Sequence, residues 1–147
     1  MKTLLNQIPT ARDVASETGS LKVQVVATSA GGTRAALGAA KSLAAGLDAS
    51  IVLVVPHVVQ YGETLEHPTM SPDFAGERFR TMAEDLAMDV EIRVCVCRSQ
   101  TAVLASALSH DAVVLVGGKV RRVWPTTEQR LIAALVSRGY KALLVVP

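Results

Sequence analysis

The run Ala112-Val113-Val114-Leu115-Val116 limits the fold more than any other stretch of this chain. It is apolar at every position, without the in-and-out alternation of a strand that faces water on one side. Such a run suits a strand covered on both faces, as in a parallel sheet packed between helices. Gly117-Gly118 ends it, and Lys119, Arg121 and Arg122 place three cations within four residues. Trp124-Pro125 follows, and Thr126-x-x-Gln129 has the form of a capping box opening a helix. A buried strand, a glycine turn, a cationic loop and a capped helix together make an anion site of the kind found at strand ends in open α/β sheets.

The rest of the chain repeats the strand–helix alternation. Leu21–Thr28 reads as the first strand, and Ser29-Ala30-Gly31-Gly32-Thr33 as the turn into a helix from about Arg34 to Leu47. Ala36, Leu37, Ala40, Leu43, Ala44 and Leu47 give that helix its apolar stripe. Ile51–Pro56 is the second strand, closing a βαβ unit that requires a parallel pair. A long polar connection, His57–Met70, leads to Ser71-Pro72, a good helix start. Ala75, Phe79, Met82, Ala83 and Leu86 mark the buried side of this second helix. Val90–Val96 alternates, with Val90, Ile92, Val94 and Val96 on one face and Glu91, Arg93, Cys95 and Cys97 on the other, as expected at a sheet edge. Ser99–Ser109 reads as a third helix with Val103, Leu104, Ala107 and Leu108 inward. A fourth helix turns Leu131, Ile132, Leu135 and Val136 to the core and stops at Gly139, and Lys141–Val146 is the last strand. The fold class is therefore α/β: a doubly wound, five-stranded parallel sheet with helices on both faces, a three-layer α/β/α sandwich. Residues 1–20 show no clear period and read as a mobile arm before an α/β domain at 21–147.

With 147 residues, half of them hydrophobic and only 3% aromatic, the core must be built from Val, Leu, Ala and Ile. A formal net charge of +2 is too small to imply a nucleic-acid or membrane partner. No apolar run approaches the roughly 18–20 residues of a membrane span. Residues 1–20 lack the apolar core of a signal peptide. The expectation is a cytoplasmic protein that inserts in no membrane and binds no nucleic acid. Cys95 and Cys97 would share one face of a strand as small packing residues, and no metal site is expected.

The pattern resembles the universal stress protein family from about Lys22 to Val146. The resemblance rests on Val23-Gln24-Val25-Val26-Ala27-Thr28, the Ala-rich first helix, the long loop after Pro56, Val113-Val114-Leu115-Val116-Gly117-Gly118, and Leu143-Leu144-Val145-Val146. It implies strand order 3-2-1-4-5, a homodimer through residues 141–146, and a ligand crevice between the first and fourth strands. Many family members bind ATP there, using an aspartate after the first strand and a G-x2-G-x9-G-[S/T] loop after the fourth. This chain departs from both features. Thr28 stands at the aspartate position. Counting from Gly117, the later motif positions are Val120 and Arg130-Leu131; from Gly118 they are Arg121 and Leu131-Ile132. A β-branched Val120 resists the close approach and positive φ that glycine permits. ATP held in the family manner is therefore not expected, and no cofactor is assigned.

The candidate ligand-binding residues are Thr28, Gly31, Gly32, Arg34, Gly117, Gly118, Lys119 and Arg121, with Arg122 and Arg98 as further cations. They serve two readings. One is a non-catalytic stress-response or regulatory dimer that binds a protein partner or a small anion. The other is a sensor holding ATP, AMP or a cyclic nucleotide through an altered loop. Trp124 reads as a lid over the sheet end, or as a stacking partner for a base or for Arg122. Enzymatic constellations are missing from the sequence: there is no G-x-S-x-G elbow, and Ser109-His110-Asp111 is only a neighbourhood at a helix-to-strand turn.

Overall fold

The computed structural model describes residues 21–58, 72–97 and 107–147. Five parallel strands, β1 (Leu21–Val26), β2 (Ala49–Val58), β3 (Glu91–Cys97), β4 (Val113–Gly117) and β5 (Lys141–Val145), lie in the order β3-β2-β1-β4-β5. Three helices among the described residues, α1 (Ala30–Ala44), α2 (Pro72–Asp85) and α3 (Thr127–Ser137), cover the sheet. The fold class and strand order are those expected. The arm at 1–20, most of the long loop after β2, Arg98 and most of the expected helix at 99–109 lie outside the described residues.

Strand alternation sorts the core into two layers. Val23, Val25, Leu53, Val55 and Leu115 face α1 and α2, where Ala36, Leu37, Ala40, Phe79 and Met82 meet them. Val26, Val54, Val114 and Val116 face the other side, against Leu131 and Leu135 of α3 together with Leu108 and Tyr140. The register Val25↔Leu53 and Val25↔Leu115 aligns these layers across neighbouring strands. Leu37, Leu53, Leu115 and Leu135 are fully buried, so truncating any one to Ala should cost about 2–5 kcal/mol. Gln24 is the buried polar residue of β1. Its side chain is satisfied by the turn before β4, accepting from Ser109 N at 2.7 Å and donating to Ala107 O at 3.5 Å.

Several boundaries differ from the sequence reading for identifiable reasons. β2 runs through Pro56 to Val58, because β1 pairs only as far as Val54 and β3 alone flanks the proline. Cys95 is a half-buried free thiol packed on the α3 side of the sheet. Val136, expected inward, is 54% exposed; the stripe of α3 narrows to Leu131 and Leu135, with Ile132 beside them. Gly139 does end α3, with φ of 88°. The largest shift is in α1, which starts at Ala30 and so takes Gly31 and Gly32 into its first turn.

Candidate functional site

The early start of α1 comes from Ser29. Its backbone is extended (φ −68°, ψ 166°) and its hydroxyl accepts from Gly32 N at 3.1 Å, an N-cap that fixes the first turn. Thr33, fully buried, accepts from Thr28 N at 2.8 Å and so locks the end of β1 to this turn. Thr28 in turn donates its hydroxyl proton to Gly117 O at 2.7 Å, joining the ends of β1 and β4. The two glycines are there for proximity. A Cβ on Gly117 would stand 1.7 Å from Gly32 O, and one on Gly32 would stand 2.5 Å from Gly117 O. Helix backbone thus lies directly on strand backbone at the switch point of the sheet.

Across the crevice, α3 is opened by the full capping box read from the sequence. Thr126 Oγ1 accepts from Gln129 N at 3.2 Å, and Gln129 Oε1 accepts from Thr126 N at 2.8 Å. The same two side chains also secure the cationic loop. Thr126 Oγ1 donates to Lys119 O at 2.8 Å. Gln129 Oε1 accepts from Arg121 N at 3.0 Å, while its Nε2 donates to Arg121 O at 3.3 Å. Gly118 N continues the sheet by donating to Val145 O at 2.9 Å. Loop and helix start form one braced unit.

Between these two assemblies lies a cleft of about 620 Å³. Ser29, Gly31 and Gly32 wall it on the α1 side, and Thr126, Thr127 and Glu128 on the α3 side. Gly118, Lys119 and Arg121 form its floor and rim as the chain leaves β4. Two helix N-termini therefore converge on one space, each with the partial positive charge of its unpaired amides. Two cations add to that field, and Glu128, in the first turn of α3, subtracts from it. A smaller recess of about 140 Å³, bordered by Thr28 and Leu131, adjoins the cleft through Ser29, Thr127 and Glu128.

Of the candidate residues, the structure brings Gly31, Gly32, Gly118, Lys119 and Arg121 together on this wall. Thr28 borders the recess with its hydroxyl already committed, and Gly117 is buried beneath Gly32. Arg34 belongs to another surface: its Nη2 is 4.0 Å from Asp85 Oδ2 at the end of α2. Arg122 is exposed and off the cleft wall. Trp124 is no lid. It is 75% exposed and lines neither cavity. Sequence reasoning missed Ser29, Thr127 and Glu128 as wall residues and Gln129 as the clamp on Arg121. The T-x-x-Q box already carried part of that signal, since it fixes where the free amides of α3 must point.

No family model and no curated protein matches the chain. Among solved structures, a universal stress protein in complex with cAMP does, with a TM-score of 0.52 and 17% sequence identity, over 86% of this chain and 95% of that one. The fold is that of a universal stress protein. At this identity the likeness speaks for the architecture alone; the contents of the cleft are this chain's own.

Proposed function

We propose that this chain is a non-catalytic, regulatory binding protein on the universal stress protein fold, and that its cleft takes a small anion. The observation that carries this reading is the convergence of two helix N-termini with Lys119 and Arg121 on one space. Each N-terminus favours an anion by about 0.3–1 kcal/mol, and the cations supply charge-assisted hydrogen bonds. Glu128 offsets about one of those charges, so the balance suits a monophosphate or carboxylate better than a triphosphate. The loop also lacks the means to wrap a triphosphate chain in the family manner. The backbone amide of Arg121 is spent on Gln129, and Val120 stands where a glycine would be needed. Binding fits the site better than catalysis, because the hydroxyls of Ser29 and Thr126 serve as caps and are not poised as nucleophiles.

A second reading, a sensor for AMP or a cyclic nucleotide, is favoured by the cAMP in the similar structure. It uses the same wall and differs in requiring the base and sugar to contribute affinity. The protein acts in the cytoplasm as a homodimer in either case. β5 has a partner on one side only, and Leu143 and Val146 at that edge are 57% and 60% exposed. A protein partner is a further expectation of the regulatory role.

Calorimetry with inorganic phosphate, AMP, cAMP and ATP separates these readings. The small-anion reading predicts heat with phosphate and no gain for ATP over AMP. The sensor reading predicts AMP or cAMP binding at least tenfold tighter than phosphate. No heat from any of them at millimolar concentration would end both readings, and ATP binding well above AMP would restore the family's mode.

A further inference from the structure

Four residues of the loop between β4 and α3 contribute nothing to the cleft wall: Val120, Arg122, Val123 and Trp124. Val120, Val123 and Trp124 are 56%, 77% and 75% exposed, and Lys119, Arg121 and Arg122 beside them are exposed as well. Single apolar side chains on a surface are ordinary, but three on one loop, interleaved with cations, form a feature. The loop is also held in place. Thr126 holds the Lys119 carbonyl, and Gln129 engages both backbone polar groups of Arg121. Trp124 is thus presented from a fixed base.

We infer that this loop docks on an anionic lipid surface, with Trp124 and Val123 entering the headgroup region and Arg122 pairing with phosphate-bearing headgroups. Tryptophan favours the membrane interface because its ring is apolar while its indole N–H can stay hydrated. Arginine and lysine cover apolar surface with their stems while their charged ends reach lipid phosphates. The formal net charge of +2 hides this concentration of three cations in four residues. Their sign complements the anionic cytoplasmic leaflet. Patch size points the same way. A specific protein–protein contact takes about 800 Å² and roughly 20–30 residues per partner, whereas this is a single loop. Nucleic acid would use the cations but gain nothing from exposed Val120 and Val123. The contact is interfacial, since no helix among the described residues is long and apolar enough to cross a membrane.

Trp124 is the chain's one tryptophan, so its fluorescence reports on this loop alone. The full chain is titrated with phosphatidylcholine vesicles, with and without phosphatidylglycerol, and binding is checked by flotation. The expected result is a blue shift with the anionic vesicles that raised salt reverses. Arg122→Glu with Val123→Asp, both off the cleft wall, should weaken partitioning by at least about twenty-fivefold, at roughly fivefold per unit of charge over the two units changed at Arg122. Its melting temperature and phosphate calorimetry should match wild type, which separates this docking from the cleft. A Trp124 spectrum unmoved by anionic vesicles overturns the inference. So does an equal shift with neutral vesicles, or a shift seen only with RNA or on self-association.

Discussion

The contact between Gly32 and Gly117 gives the sharpest test of the architecture, because the same helix contains its own control. In Gly32→Ala the new methyl would sit 2.5 Å from Gly117 O and 2.7 Å from Thr28 Oγ1. An ordinary carbon–oxygen approach is about 3.3–3.6 Å, so helix and strand must part by roughly 0.8 Å. β4 is hydrogen-bonded on both sides, to β1 and β5, and cannot yield alone. Overpacking of this kind costs about 1–3 kcal/mol, and strain on the Thr28–Gly117 bond adds up to about 1 kcal/mol. Replacing a helical glycine returns about 0.5–1 kcal/mol. The net is about 2 kcal/mol of destabilisation, or roughly 6 °C in melting temperature for a chain of this length. Gly38, in the middle of α1, has nothing within 4 Å of its Cβ position. Gly38→Ala should therefore raise the melting temperature by about 2–3 °C. Circular dichroism melts of the two variants decide the matter. A Gly32→Ala protein that melts at or above wild type would refute the backbone contact.

Gln129→Ala removes the capping box and both hydrogen bonds to Arg121, so it should cost about 1–2 kcal/mol in urea unfolding and speed amide exchange at Arg121; unchanged exchange there would show that the loop is held by something else. Asp111 has its carboxyl held below the usual range first by the Ser109 hydroxyl and then by Lys22. A depressed carboxyl adds stability above its unfolded pKa, and that stability is lost as pH falls through the folded value. Asp111→Asn should thus flatten the acid limb of the stability curve while its effect at strongly acidic pH vanishes, and superimposable pH profiles would contradict this. Leu143→Arg at the open edge of β5 should convert a dimer to a monomer in sedimentation velocity. A wild-type chain already monomeric at micromolar concentration would remove the dimer from the account.

The sheet could be read from the chain because its evidence is local. Apolar runs such as Val113–Val116, the alternation at β3, the Thr126/Gln129 box and the stop at Gly139 each act within a few residues. What escaped was either overruled or long-range. Ser29 is a strong N-cap, yet two glycines after it read as a turn, and the tertiary reason for Gly32 lies 85 residues away at Gly117. Arg34 follows a helix start and so looked like a ligand residue; four residues of extra helix turn it toward Asp85 instead. Gln129 was legible as a cap, but its grip on Arg121 depends on a loop path that no periodicity encodes. Trp124 reads as a lid because tryptophan is usually covered, whereas it stands 75% exposed on a loop whose base is tied by Thr126 and Gln129.

The proposed small-anion binding draws on α1, α3 and the cationic loop together. It is tested most directly by an amide NMR titration of the full chain with AMP, repeated on Lys119→Ala with Arg121→Ala. Wild type should show saturable shifts at Gly31, Lys119, Thr127 and Glu128, with at least tenfold weaker binding in the double variant and nearly unchanged stability, since exposed charges contribute little to it. Shifts confined to other surfaces, or equal affinity in the two proteins, would contradict it.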